Sequence, residues 1–232
     1  MRKVAAVTWA MLLHNRWQLL LLGAWPWLFL LLLQAGGAIS PEDVVSLLHQ
    51  ECLYGLAMIA ILASSAFGNE LRSRRIVFVL SRAISRQQYL TALWLSAIVP
   101  GLVYVLSMLG AGVILGSSAR LSTAAIVSLL MVLLVLMLWV GALGLMFSIL
   151  LPGFLPWAAV SVAAPLIFYW SGPKPSLGSG MLLRSIMDSG LAQEHAHFPA
   201  LASVSSTLLQ ACGLFLGAYF LFRRKDICPS GD

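Results

Sequence analysis

Six long apolar runs constrain the fold of this chain more than any other feature. A helix that crosses a bilayer needs about 20 apolar residues, because the hydrocarbon core is about 30 Å thick and the helix rises about 1.5 Å per residue. The runs lack the alternation of apolar and polar residues that is typical of barrel strands, so their backbone groups must pair within helices. They cover Gln18–Ile39, Val44–Phe67, Leu90–Gly116, Leu121–Leu151, Phe154–Ser171 and Pro199–Phe222. We therefore predict an all-α polytopic membrane protein, with six transmembrane helices in a single transmembrane domain of residues 1–232.

The composition excludes several other classes of protein. Apolar residues make up 60% of the chain and charged residues only 9%, whereas soluble domains carry about 25% charged residues. Disordered chains combine low hydrophobicity with high charge, and three cysteines do not make a disulfide framework. In a membrane protein, the net charge of +6 indicates cytoplasmic anchoring, so we expect no nucleic-acid partner.

The distribution of Lys and Arg predicts the orientation of the helices. With six spans, the N-terminus, the loop between the second and third spans and the C-terminal tail all lie on one side of the membrane. These three regions hold eleven of the fourteen Lys and Arg residues. The other three are Arg120, Lys174 and Arg184. Because cytoplasmic loops carry the excess of basic residues, both termini are predicted to be cytoplasmic.

Local signals predict where some helices begin. Residues 1–17 are predicted to form an interfacial helix, with Trp9 and Trp17 at the level of the lipid headgroups. Pro41 follows a serine and precedes two acids, a pattern typical of a helix start. The sequence Ser85-Arg86-Gln87-Gln88 fits a capping box, which predicts that the third span begins near Arg86.

Motifs that carry catalysis are missing from the sequence. There is no Walker loop for ATP, no His-Glu-x-x-His zinc motif and no Gly-x-Ser-x-Gly nucleophile elbow. His195 and His197, near Glu194, are too few to fill a zinc site and are interpreted as a solvated loop. We predict neither enzymatic activity nor a cofactor or metal on this chain.

The segment 68–88 mixes five arginines with the apolar run Ile76–Leu80. A simple connection needs only a few polar residues. An apolar ridge flanked by arginines is typical of a short helix that docks into a groove on a partner protein. The alternative is electrostatic anchoring, with the apolar run lying on the membrane. The residues alone leave both interpretations open.

Three features of this region carry a resemblance to a known family. Glu70 closes the second span, basic residues follow, and Val79-Leu80-Ser81-Arg82-Ala83-Ile84-Ser85-Arg86 precedes Tyr89-Leu90. This pattern resembles the type-2 permeases of ATP-binding-cassette (ABC) transporters, in which a stretch of the form Leu-Ser-x-Pro-Ile-Ser-Arg precedes the third span. The six-span layout and the basic tail are also similar to that family.

The resemblance implies a function and a set of partners. The chain would be the membrane-spanning subunit of an ABC exporter in the bacterial inner membrane. It would pair with an identical or related permease subunit and dock on a separate ATPase subunit that holds ATP and Mg²⁺. Residues 68–88 would form the coupling loop, 173–198 an external helical loop and 223–232 a cytoplasmic tail. The implied coupling residues are Glu70, Arg72, Arg74, Arg75, Phe78, Arg82 and Arg86.

Other functions compatible with the sequence are an energy-independent carrier or channel, and an ABC subunit that does mechanical work without transport. An apolar path with few charges favours an amphiphilic substrate for a transporter. For 173–198 there is a second interpretation, a plain packing helix under a loop.

Glu51 is the acid that lies well inside a predicted span, with His49 beside it. A carboxylate in a span is costly, so it should face a protein interior, a cavity or a basic partner. The two residues are possible members of a substrate pathway. The alternative is that Glu51 extends to water at the membrane interface. Gly112-x-x-x-Gly116 and Gly213-x-x-x-Gly217 are spacings that allow close helix packing.

Overall fold

The computed structural model describes residues 2–35, 41–72, 84–118, 122–151, 155–170, 179, 182 and 201–224. Within these ranges the chain forms seven long α-helices and no strand. The helices are α1 Arg2–His14, α2 Arg16–Ala35, α3 Pro41–Arg72, α4 Arg86–Ser118, α5 Thr123–Leu150, α6 Leu155–Trp170 and α7 Leu201–Arg224. The predicted all-helical class is therefore confirmed.

Five helices are long and apolar enough to cross a membrane, namely α2, α3, α4, α5 and α7. They correspond to five of the six predicted spans. The remaining predicted span, Phe154–Ser171, contains α6, which has 16 residues. At about 1.5 Å per residue this helix is about 24 Å long, shorter than the hydrocarbon core. The chain is a helical membrane protein whose described residues hold five candidate spans, and the sixth crossing stays a prediction.

The predicted helix starts agree with the structure. Helix α3 begins at Pro41, as the sequence indicates. At the start of α4, the backbone N–H of Gln88 donates to Ser85 Oγ (3.2 Å), and the backbone N–H of Ser85 donates to Gln88 Oε1 (3.3 Å). This reciprocal pair is the predicted capping box. One residue, Asn15, separates the N-terminal helix α1 from α2.

Helix α5 is the central helix of the bundle. It carries no charged side chain, and most of its residues are buried. It packs against α3, α4, α6 and α7. The backbones of α3 and α5 approach each other closely at Gly144, where a Cβ atom would lie 2.9 Å from Ala63 Cβ and 3.1 Å from the backbone nitrogen of Ser64. Small residues at helix crossings allow such contacts, which drive helix association in membranes.

The two ends of the bundle can be told apart by their contacts. One end, here called the loop end, holds a buried cluster of Met11, Phe67, Tyr89, Leu145 and Phe222, close to the residues that flank the basic loop in sequence. This cluster joins α1, the end of α3, the start of α4, the end of α5 and the end of α7. The first and last helices of the chain therefore meet at the same end as the basic loop.

The opposite end, here called the far end, joins the start of α3 to the end of α4 and the start of α5. A Cβ atom on Gly112 would lie 3.4 Å from Ile126 and 3.7 Å from Leu48. Helices α5 and α7 both end at the loop end, so the chain returns to the far end between Leu151 and Leu201. Helix α6 occupies the start of this stretch and packs on α3 and α5.

Candidate functional site

Glu70 lies at the last turns of α3 and is only 7% exposed. The Tyr89 hydroxyl, from the first turn of α4, donates a hydrogen bond to Glu70 Oε2 (3.1 Å). Burying a carboxylate is costly unless hydrogen bonds satisfy it. This bond ties the helix that enters the basic loop to the helix that leaves it.

Tyr89 and Phe222 are fully buried aromatic residues next to this bond. The Tyr89 and Phe222 rings are stacked with centroids 6.2 Å apart, and the Phe67 ring meets Phe222 edge-on at 5.6 Å. Such pairs contribute about 0.5–1.5 kcal/mol beyond the area they bury. The backbone N–H of Phe67 also donates to Ser148 Oγ on α5 (3.1 Å). Both flanks of the loop are thus packed against α5 and α7.

Arg86, the first residue of α4, reaches the C-terminal end of α7. Its Nη1 donates to the carbonyl oxygen of Arg223 (2.7 Å) and approaches that of Phe222 (3.5 Å). The last carbonyls of a helix have no partners within the helix and carry partial negative charge, which a guanidinium compensates. The loop end of α4 is therefore attached to the last helix of the chain.

The Arg86→Gln variant tests this attachment. We expect its free energy of unfolding to fall by about 0.3–1 kcal/mol, the usual value for a cation at a helix C-terminus. Arg86→Lys keeps the charge and should lose less. Titration with a denaturing detergent, followed by circular dichroism, measures both. Equal stability of the wild type and both variants would contradict a bond of this kind.

The other predicted coupling residues lie at the end of α3 or in the basic loop. Arg72 is the last residue of α3. Four of them, Arg74, Arg75, Phe78 and Arg82, lie outside the described residues. Of the predicted external loop 173–198, only Ser179 and Leu182 are described, and both are buried. The Ser179 hydroxyl donates to Gln210 Oε1 on α7 (2.9 Å), so this part of the loop contacts the bundle.

Glu51 forms a second polar cluster, in the half of α3 nearer the far end. The side chain is fully buried, so it does not reach water as the interfacial alternative requires. Trp25 Nε1 on α2 donates to both carboxylate oxygens (3.0 and 3.3 Å). The Tyr104 hydroxyl on α4 donates to Oε2 (2.8 Å) and to the carbonyl oxygen of Glu51 (2.7 Å). One carboxylate therefore joins three helices.

His49 does not belong to this cluster. Residues two positions apart on a helix point in directions that differ by about 200°. His49 and Glu51 therefore lie on different faces of α3. His49 Nε2 is buried and makes no hydrogen bond with any group in the described ranges. A substrate pathway that contains Glu51 and His49 stays a prediction.

Sequence reasoning missed the partners of both carboxylates. Tyr89 belongs to the motif that resembles the permease family, but no role was predicted for it. Trp25, Tyr104 and Phe222 were not predicted as site residues. Aromatic side chains with a polar atom usually find a hydrogen-bond partner when buried. Trp25 and Tyr104, which lie deep in apolar runs, carried that signal. The sequence cannot say which acceptor each one meets.

The described ranges contain no group of three or more His, Cys, Asp or Glu residues placed to hold an ion.

No protein-family model matches the chain, and no curated protein or solved structure matches it significantly. The candidate site is therefore defined by its own geometry and by the sequence pattern around it.

Proposed function

We propose that this chain is the membrane-spanning subunit of an ABC exporter, driven by ATP that a separate ATPase subunit hydrolyses. The single observation that carries this proposal is the attachment of both flanks of the 73–83 segment to the bundle. Glu70 on one flank and Tyr89 on the other are hydrogen-bonded, and Arg86 holds the end of α7. A force applied to the loop would act on α3, α4 and α7 together.

The arrangement of the helices supports the predicted topology. Helix α1, the end of α3, the start of α4 and the end of α7 meet at the loop end. In sequence, eleven of the fourteen Lys and Arg residues belong to these helix ends or to the segments next to them. In our proposal the loop end faces the cytoplasm, α6 with its flanking residues makes the sixth crossing, and the protein resides in the bacterial inner membrane. Two such subunits, identical or related, pair to form the transporter.

The proposed mechanism couples a partner's chemistry to a packed bundle. ATP and Mg²⁺ bind only to the ATPase subunits, whose closure moves the loop that contains Arg74, Arg75 and Phe78. Because the loop flanks are packed against α5 and α7, the bundle responds as a unit with two discrete arrangements. Alternation between them exposes a path between the two permease subunits and moves substrate outward.

Affinity purification of the tagged full chain from its native membrane in mild detergent tests the proposal. We expect wild type to retain a soluble protein that carries a Walker motif. A variant with Arg74, Arg75 and Phe78 changed to Ala should lose at least about 90% of it, since interface anchors of this type dominate binding energy. Quantitative mass spectrometry of the bound fraction measures the ratio.

The matched control has Arg223, Arg224 and Phe220 changed to Ala. It removes the same residue types from an exposed part of α7 at the same end of the bundle, and it should retain the ATPase. Thermal unfolding checks that each variant is folded. If wild type binds no ATPase under several detergent conditions, the ABC proposal fails.

In that case an energy-independent carrier or channel becomes the leading function, and a buried acid in a span, Glu51, is the observation that favours it. A mechanical ABC subunit would bind the ATPase but would not support transport in sealed vesicles.

A further inference from the structure

The Tyr104 hydroxyl in the Glu51 cluster has two acceptors within reach but only one proton. Its oxygen lies 2.8 Å from Glu51 Oε2 and 2.7 Å from the Glu51 carbonyl oxygen. Both distances suit an O–H···O bond. At any moment the proton is donated to one of these oxygens, and the other oxygen then faces a lone pair of the phenol. A second proton is needed to fill both contacts at once.

A protonated Glu51 side chain supplies that second proton. Its Oε2–H group donates to the Tyr104 oxygen, while the Tyr104 O–H group turns and donates to the Glu51 carbonyl oxygen. The Trp25 N–H group spans both carboxyl oxygens (3.0 and 3.3 Å), so it keeps an acceptor in either form. Uptake of one proton from the aqueous phase converts the carboxylate to the acid and adds one hydrogen bond, without moving a heavier atom.

The packing around this cluster holds the phenol in place. Gly55 lies one turn after Glu51 on α3, and a Cβ atom there would lie 2.6 Å from Tyr104 Cε1 and 3.1 Å from its Cδ1. The Tyr104 ring therefore occupies the space of the missing side chain. Nearby, the Ser107 hydroxyl on α4 donates to the carbonyl oxygen of Gly23 on α2. Helices α2 and α4 are thus joined next to the turns that carry the two donors.

No opposite charge is close to Glu51 in the described helices packed around it. The charged residues of α2 and α4 are Arg16 and Arg86, each the first of its helix. They lie about 13 and 27 Å along the helix axis from the turns that bond to Glu51. Helices α5 and α6 carry no charged residue, and the nearest on α3 is another acid, Asp43. A bound proton removes a charge that these helices leave uncompensated.

The other titratable side chains near the carboxyl are a phenol and a thiol. Tyr104 faces it from α4, and the fully buried Cys52 follows it on α3, whereas His49 lies on a different face. Helix α2 presents the Trp25 N–H group, and α5 and α6 contain no acid, base or thiol. Phenols and thiols lose their protons at higher pH than carboxyls do. Glu51 is therefore the member of the cluster that exchanges a proton.

We infer that Glu51 is a reversible proton-binding site inside the bundle, with Trp25 and Tyr104 arranged to bond both forms of the carboxyl. The ligand of this site is the proton itself. Because proton uptake adds a bond between α3 and α4, it is linked to the packing of these two helices. The inference does not rest on the proposed export function, since proton binding requires no ATPase.

Infrared difference spectroscopy of the full chain in phosphatidylcholine vesicles tests the inference. Exchange between buffers of about pH 5 and about pH 9 covers the range in which buried carboxyl groups titrate. A protonated carboxyl has a C=O stretching band that a carboxylate lacks. We expect a band that appears on acidification, disappears on return to the alkaline buffer, and is lost in Glu51→Gln.

Tyr104→Phe tests the role of the phenol. It removes the acceptor of the carboxyl proton and keeps the ring, so the band of the protonated acid should move in wavenumber. Tyr54→Phe removes the same hydroxyl from an exposed side chain and should leave the band in place. Glu70→Gln and Asp43→Asn replace other acids of α3, and both variants should retain the Glu51 band.

Three outcomes would overturn the inference. In the first, folded Glu51→Gln gives the same difference spectrum as wild type, so Glu51 does not change its protonation. In the second, Tyr104→Phe leaves the band unmoved, so the phenol does not bond the acid. In the third, Glu51→Gln fails to fold by circular dichroism, although its amide offers the same donor and acceptor as the protonated acid. None of these outcomes bears on the recovery of an ATPase.

Discussion

Replacing Gly144 with valine is expected to lower the free energy of unfolding by about 2–3 kcal/mol, in the upper part of the range for overpacked cores. At this position a Cβ atom would lie 2.9 Å from Ala63 Cβ, 3.1 Å from the Ser64 nitrogen and 3.4 Å from the Ala60 carbonyl oxygen. Two of these three atoms belong to the backbone and the third is a methyl group without rotamers. Helices α3 and α5 must therefore separate to accept the side chain.

The control for this prediction is Gly213→Val on α7. A Cβ atom there would meet no atom within 4 Å, so we expect a change within about 0.5 kcal/mol, as for other surface positions. Titration with a denaturing detergent, followed by far-ultraviolet circular dichroism, compares both variants with wild type. Similar losses at the two positions would show that α3 and α5 do not approach as closely as described.

The contrast between these glycines shows what the sequence could predict about packing. A four-residue spacing drew attention to Gly213 and Gly217, yet Gly213 faces open space in this chain. Gly144 has no glycine four residues away, and the small residue at that spacing is Ser148. Both residues meet α3, Ser148 through the N–H of Phe67. The face of α5 that meets α3 therefore carried a signal in small residues generally, which a search for glycine pairs alone did not find.

Local chemistry was easier to predict than contacts between distant residues. The capping box at Ser85 and the start of α3 at Pro41 depend on neighbouring residues, and both predictions were correct. The bond from Tyr89 to Glu70 crosses the loop, and the bond from Arg86 to α7 joins residues more than 130 positions apart. Such pairings depend on how the helices pack, which hydrophobic periodicity does not specify.

Whether helix α6 crosses the membrane could not be predicted from its sequence. Its apolar run is flanked by prolines and glycines, and the helix is 16 residues long. The hydropathy of a short run does not distinguish a crossing from a packing helix. The chain returns from the loop end to the far end between Leu151 and Leu201, and a sixth crossing within this stretch stays a prediction.

The second large effect is expected at the Glu51 cluster. Tyr104→Phe removes the hydroxyl that donates to Glu51 Oε2 (2.8 Å) and to its carbonyl oxygen (2.7 Å), without changing the packing of the ring. In water-soluble proteins a hydrogen bond to a charged group contributes about 1.5–3 kcal/mol. Bonds inside membranes contribute less, up to about 1.7 kcal/mol, because the unfolded chain also finds partners there. We expect a loss of about 1–2 kcal/mol.

A double-mutant cycle separates this bond from general effects of the substitution. Glu51→Leu leaves the donors of Trp25 and Tyr104 without the carboxylate, and should also destabilise the protein. Combined with Tyr104→Phe, it removes both partners of one bond, so the double variant should lose about 1 kcal/mol less than the sum of the single losses. Measurement again uses unfolding in a denaturing detergent.

Tyr54→Phe is the matched control for Tyr104→Phe, because it removes the same hydroxyl from an exposed side chain. Tyr54 lies on α3, the helix that carries Glu51. This variant should change the free energy of unfolding by less than about 0.5 kcal/mol. If the losses from Glu51→Leu and Tyr104→Phe are instead additive, the carboxylate and the phenol are not coupled. Glu51 would then not join α3 to α4 through Tyr104, and its bonds to Trp25 would remain as the link to α2.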